Sequence, residues 1–166
     1  MKLAEHRGPG MRVAIVGCGL VGQKRGRALA GARLVACVDT ARDRAEALAR
    51  TAPGALALGS WREAIERQDV DVVVVATPHH LLADITGAAV GAGKHVLVEK
   101  PGARRVHELD AVIDAATRAA VMVRVGFNHR YHPGLRQARQ LVRDGAVGDL
   151  MYVRGRYGHE IGRAHV

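Results

Sequence analysis

The fold is decided by residues 12–39, RVAIVGCGLVGQKRGRALAGARLVACVD. An apolar run, Val13–Val16, gives way to glycines at 17, 19 and 22. A helical pattern follows, then a second apolar run, Leu34–Val38, which stops on a carboxylate, Asp39. A strand, a glycine turn, a helix and a second strand ending in an acid make up the GxGxxG dinucleotide fingerprint. Each glycine has a physical task. Gly17 permits the tight turn out of the strand, and Gly19 lets a pyrophosphate approach the bare backbone. Gly22 lets the helix pack closely on the sheet. The N–H groups at the start of that helix, those of Leu20 and Val21, then face the phosphates with the helix dipole assisting. Asp39, 17 residues after Gly22, is placed to accept hydrogen bonds from the adenosine ribose. An acid there repels a 2′-phosphate and favours NAD, while Thr40 and Arg42 could cradle that phosphate and keep NADP open.

Outward from this unit, apolar runs and helical patterns alternate. Strands are expected at Val13–Val16, Leu34–Val38, Ala55–Leu58, Val72–Ala76, His95–Val98 and Val121–Val125. Helices are expected at Val21–Ala30, Arg42–Arg50, Trp61–Arg67, Leu81–Val90 and Val106–Ala119. Alternation of this kind predicts an α/β fold, a doubly wound parallel sheet. The four consecutive valines of DVVVVATP cannot alternate in and out, so both faces of their strand must be covered. Tyr131–Arg143 then reads as a further helix, and Met151–Tyr157 alternates as a strand would. These two look like the opening of a second, differently built domain.

Composition narrows the function classes. Of 166 residues, 48% are hydrophobic and only 3% aromatic, so the core must be built from Ala, Val and Leu. No apolar run reaches the length of a membrane span, and the first ten residues lack the apolar centre of a secretory signal. Two cysteines make no disulfide framework, which fits a reduced cytoplasm. The net charge of +9 comes from arginines scattered along the chain, since only Lys2, Lys24, Lys94 and Lys100 are lysines. With no basic block and no interleaved aromatics, it reads as a solvated surface and not as a nucleic-acid footprint.

Two further stretches fall beyond the carboxyl ends of strands, where open α/β sheets take ligands. In ATPHH, Thr77 is expected to cap the next helix, with Pro78 in its first turn. His79 and His80 start that helix, and no cysteine or carboxylate lies near them at metal-ligand spacing, so no metal site is expected. HVLVEKP delivers Glu99 and Lys100 to the same edge. A partly desolvated lysine there has a depressed pKa and can take a proton from a substrate hydroxyl near neutrality; the alternative reading is a strand-end ion pair between neighbours or a surface lysine.

VAIVGCGLVGQKRGRAL, VDVVVVATP, GKHVLVEKP and VRVGFNHRYHPG, in this order and spacing, resemble the Gfo/Idh/MocA oxidoreductase family over roughly residues 11–157. The resemblance implies an NAD(P)-dependent dehydrogenase acting on sugars, inositols or related polyols, homo-oligomeric at full length. It makes Lys100 the catalytic lysine and places Glu99 beside the nicotinamide. Thr77, Pro78 and His79 fall on the loop along the cofactor, and Asn128 and Arg130 near the domain junction. The family often has a histidine where this chain has Leu82. Its second domain also supplies a histidine that completes proton transfer, and His159 comes too early to be that residue. The expected organisation is therefore an extension (1–10), a Rossmann domain (11–128) and the start of a truncated substrate domain (129–160). Residues 161–166, IGRAHV, match a string encoded by one frame of a common sequencing adapter and are expected to be non-native. On this reading the chain alone binds cofactor without turnover. Two alternatives are a non-catalytic NAD(H)-binding module that senses or docks to a partner, and a methyltransferase. The full GxGxxG and the EKP element speak against the methyltransferase.

Overall fold

A computed structural model describes residues 10–156 and 158. Residues 1–9 of the expected extension 1–10, Tyr157, His159, Glu160 and the suspected tail 161–166 lie outside the described residues. The chain divides into two compact units, Met1–Phe127 and Asn128–Val166.

In the first unit the elements are β1 (Arg12–Val16), α1 (Leu20–Arg27), β2 (Arg33–Val38), α2 (Arg42–Ala49), β3 (Leu56–Leu58) and α3 (Trp61–Glu66). They continue as β4 (Val72–Val75), α4 (His79–Gly91), β5 (His95–Val98), α5 (Val106–Ala119) and β6 (Val123–Val125). All six strands are parallel, in the order β3-β2-β1-β4-β5-β6. This is the doubly wound order with its switch point between β1 and β4. Right-handed crossovers winding outward in opposite directions from that point put their helices on opposite faces. The core accordingly has two halves. Val13, Ile15, Leu34 and Val74 pack with Ala45 and Leu48 of α2 on one face. Ala14, Val16, Val73 and Val75 pack with Ile65 of α3 and Leu82, Ile85 and Ala89 of α4 on the other. The valine run is thus buried on both sides, as its composition required. Leu82 is fully buried, so the residue that departs from the family pattern serves here as core.

Element ends differ from the sequence expectation for local reasons. The first helix stops at Arg27 because the Ala28 N–H turns back to Arg25 O (3.0 Å) and Ala30 adopts a left-handed φ of 45°. Thr77 does not cap α4. Pro78 is the N-cap itself and makes no side-chain cap bond, so α4 begins at His79. The last strand begins at Val123, since the Val121 N–H still closes the end of α5 on Ala116 O (3.1 Å).

The amino edge of the sheet is fastened by charge. Arg12 grips Asp71 through Nε to Oδ2 (2.9 Å) and a second guanidinium nitrogen to Oδ1 (2.7 Å), and its backbone N–H also donates to Oδ2 (2.8 Å). These bonds hold the Asp71 carboxyl at a pKa of about 2. A depressed carboxylate contributes stability that is present above its unfolded pKa, near 4, and lost as the pH falls through about 2. With a third of the side chain exposed, solvent screening limits the contribution to about 1 kcal/mol. Asp71→Asn is therefore expected to be less stable than the parent at pH 6 in urea unfolding, with the gap closing by pH 2. A gap independent of pH would show that the carboxylate's charge plays no part.

The second unit holds a short 3₁₀ turn (Asn128–Tyr131) and α6 (Pro133–Arg143). The helix expected from Tyr131 starts at Pro133 because proline suits the first turn and no interior position. His132 caps it, its Nδ1 accepting from the Gly134 N–H (3.2 Å). The strand expected at Met151–Tyr157 is not formed over residues 151–156. A strand is held by hydrogen bonds to a neighbour, and no described residue pairs with this segment. Tyr152 and Val153 are accordingly 83% and 82% exposed.

Candidate functional site

The site is built on the carboxyl ends of β1, β2, β4 and β5. The chain leaves β1 at Gly17, whose φ of +92° places it in the left-handed region. A Cβ there would strike the Ala76 carbonyl, so glycine is required twice over. A Cβ on Gly22 would strike the carbonyl of Gly17, which shows how closely the first turn of α1 rides on the glycine loop. Gly19 is different. A Cβ added there would meet nothing within 4 Å, so its bareness serves no internal contact and leaves open space beside the backbone.

Leu20 and Val21, both exposed, start α1 on the rim of this space. The first helical hydrogen bond runs from the Gln23 N–H to Gly19 O (3.0 Å). The N–H groups ahead of it therefore have no carbonyl four residues back within the helix. No acidic residue stands in the first turn, while Lys24, Arg25 and Arg27 stand in the last. The helix thus presents its positive end to the loop with no acidic side chain in its own first turn.

Asp39 faces the loop from β2. Its Oδ2 accepts from the Cys18 N–H (2.7 Å) and its Oδ1 from the Ala41 N–H (2.9 Å). The carboxylate therefore pins the glycine loop to the end of β2, a role the sequence did not disclose. An ionised carboxylate has about four acceptor positions, so two remain for a ligand. Thr40 is exposed beside it. Arg42 starts α2 and is engaged with Glu46 (2.8 Å). The Cys18 thiol lies buried under the loop, donating to Val38 O (3.3 Å). A hydrogen bond with Cys37 and burial push its pKa up, so it is an inert packing group.

At the end of β4, Thr77 Oγ1 is buried with no hydrogen-bond partner in the structure. Such an orphan is costly, and it sits at the strand adjoining β1 at the switch point. Pro78 and His79 are exposed next to it. At the end of β5, Glu99 is only 13% exposed and makes an ion pair with Arg25 of α1, 74 residues away in sequence. A Cβ on Gly126 would come within 2.9 Å of the Arg25 guanidinium and 3.1 Å of Glu99 Oε1, so three elements converge on this pair. The available sign was Arg25's spacing, three residues after Gly22, which puts a cation on the sheet-facing side of α1. Lys100 is exposed, a correction to the partial desolvation expected from its sequence context, because the edge it occupies is open. Asn128 and Arg130 lie in the 3₁₀ turn of the second unit, both exposed.

The arrangement fits a dinucleotide on three observations: the open face at Gly19, the spare acceptor capacity of Asp39 and the orphaned hydroxyl of Thr77. Among the described residues there is no cluster of three or more metal-ligating side chains. None of their helices is long and apolar enough to cross a membrane.

Residues 11–127 match the profile of the GFO_IDH_MocA family, described as an oxidoreductase family with an NAD-binding Rossmann fold. The chain is 36% identical over 143 residues to inositol 2-dehydrogenase 3 of Saccharopolyspora erythraea, covering 83% of this chain and 42% of that protein. It is 41% identical over 97 residues to levoglucosan dehydrogenase of Pseudarthrobacter phenanthrenivorans, covering 58% of this chain and 25% of that one. The crystal structure of the WlbA dehydrogenase from Chromobacterium violaceum, in complex with NADH and UDP-GlcNAcA, superposes with a TM-score of 0.80 at 25% identity. That match covers 86% of this chain and 42% of the other. The chain spans less than half the length of these relatives.

Proposed function

The chain belongs to the Gfo/Idh/MocA oxidoreductase family, and on that premise we propose that it is the cofactor-binding part of an NAD-dependent dehydrogenase acting on a sugar, inositol or related polyol. The observation that carries this reading is the open, Cβ-free approach at Gly19, set between the start of α1 and the Asp39 carboxylate.

In this reading Gly17, Gly19, Leu20, Val21 and Gly22 hold the pyrophosphate with backbone N–H groups. Asp39, with Thr40, takes the adenosine ribose and disfavours a 2′-phosphate. Arg42 pairs with Glu46 on the surface, which draws it away from one. Thr77, Pro78, His79 and Glu99 line the second mononucleotide half. When bound, NAD supplies the hydride acceptor or donor. Lys100 polarises the substrate hydroxyl and takes its proton, with bound substrate excluding the water that now surrounds the ammonium group. Residues 11–128 form the cofactor domain, and 129–160 begin the substrate domain of a protein that assembles as a homo-oligomer. The names of the relatives, an inositol and a levoglucosan dehydrogenase, support a polyhydroxylated substrate.

Calorimetric titration tests the reading. NADH is expected to bind this chain more tightly than NADPH, while S-adenosylmethionine leaves no heat. No turnover of inositols or hexoses is expected from the chain alone. Absence of NADH binding at millimolar concentration would overturn the proposal.

A further inference from the structure

Arg25 belongs to no glycine position and to no strand end, yet its side chain is drawn in to Glu99 and is only 27% exposed. Its Nε donates to Glu99 Oε1 (2.6 Å), and a second guanidinium nitrogen reaches the same oxygen. Gly126 closes over the pair, where a Cβ would press on the Arg25 guanidinium at 2.9 Å. The bridge runs from the helix that carries the glycine loop to the end of β5.

The topology decides what this pair faces. The switch point lies between β1 and β4, and Asp39 at the end of β2 marks the adenosine side. A dinucleotide laid across the switch point must set its second nucleoside over the ends of β4 and β5, where Thr77 and Glu99 stand. The nicotinamide ring is cationic when oxidised and neutral when reduced. A lone, largely dehydrated carboxylate at that end would therefore favour the oxidised form, because charges interact strongly where little water screens them. With Arg25 paired to it, Glu99 presents no net charge.

We propose that Arg25 is a positioning and charge-setting residue, which neutralises Glu99 and thereby fixes the relative affinity of the site for NAD+ and NADH. The inference rests on the cofactor reading given above. A purely structural bridge, holding α1 to β5, predicts something else: its loss would weaken every ligand of the glycine loop alike.

The test is the ratio of dissociation constants for NAD+ and NADH, measured by calorimetry on this chain, with ADP-ribose as a ligand that lacks the nicotinamide. Arg25→Met is expected to shift the ratio about tenfold towards NAD+ and to leave ADP-ribose affinity within about twofold. Arg25→Lys, which keeps the charge, should retain the parental ratio. Glu99→Gln should shift it the opposite way, and Arg25→Met combined with Glu99→Gln should restore it. Should Arg25→Met not fold, Glu99→Gln and Arg25→Lys still carry the test. An unchanged ratio in Arg25→Met or Glu99→Gln, with ADP-ribose still binding, would overturn this inference alone. Failure of ADP-ribose to bind the parent chain would overturn the cofactor reading and this inference with it.

Discussion

Gly19→Val is expected to abolish NADH binding while the chain stays folded, and Gly22→Val to unfold the domain before binding can be asked about. The two residues sit three apart in one motif, where the sequence assigns Gly19 to cofactor approach and Gly22 to helix packing. The structure shows the same division. At Gly19 the backbone is ordinary and extended, with φ −68°, and a side chain would project into empty space. Losing glycine at this helix N-cap costs up to about 1 kcal/mol. The added isopropyl group occupies the volume where a pyrophosphate would meet the main-chain N–H groups. A loss of at least 100-fold in affinity, about 2.7 kcal/mol, should follow in titration with NADH. At Gly22 any Cβ collides with the Gly17 carbonyl, a backbone atom that cannot swing aside. Separating α1 from the loop also pulls it off Ile15, which lies under both, so a cost of about 3 kcal/mol or more is expected. Thermal unfolding and calorimetry on both variants check this. If Gly19→Val binds NADH as the parent does, the loop is a turn and nothing else.

What the sequence could and could not disclose follows from the range of each interaction. The valine run of β4 announces a strand covered on both faces because burial of a strand is written into its own four residues. The glycines announce a turn because a left-handed φ at Gly17 is a local demand. The Arg25–Glu99 bridge spans 74 residues and exists only once β5 lies two strands from β1. Arg25's spacing from Gly22 puts a cation on the sheet-facing side of α1, but nothing near it names Glu99 as the partner. Asp39 was legible as an acid at a strand end, but its hold on the Cys18 N–H depends on how far the loop folds back over β2. Thr77 misled for the opposite reason. A threonine before Pro-His-His has the local look of a helix cap, yet the proline's own φ of −54° takes the capping position and leaves the hydroxyl buried without a partner. Residues 151–156 alternate correctly for a strand and form none, since pattern selects a face but only a neighbour supplies the hydrogen bonds.

The double duty of Asp39 sets the form of the second large effect. Asp39→Ala removes the acceptor for two backbone N–H groups, those of Cys18 and Ala41, and any acceptor for the ribose. Charge-assisted bonds of this kind are worth about 1.5–3 kcal/mol each, so the variant should lose stability and bind NADH and NADPH poorly alike. It cannot report on cofactor choice. Asp39→Asn can. Its amide oxygen keeps one of the two backbone bonds, and the charge that repels a 2′-phosphate is gone. The ratio of NADPH to NADH affinity should rise about tenfold, the change expected for one unit charge near a solvent-lined site, even as both affinities fall. Arg42 then becomes the limiting residue, because its guanidinium is tied to Glu46 at 2.8 Å. Glu46→Gln on the Asp39→Asn background should release it towards the phosphate and raise the ratio again, whereas Glu46→Gln alone, with the aspartate still repelling, should change it little. Titrating the four proteins with both reduced cofactors decides the matter: a ratio that stays fixed across them would mean that Asp39 acts only as a brace for the loop.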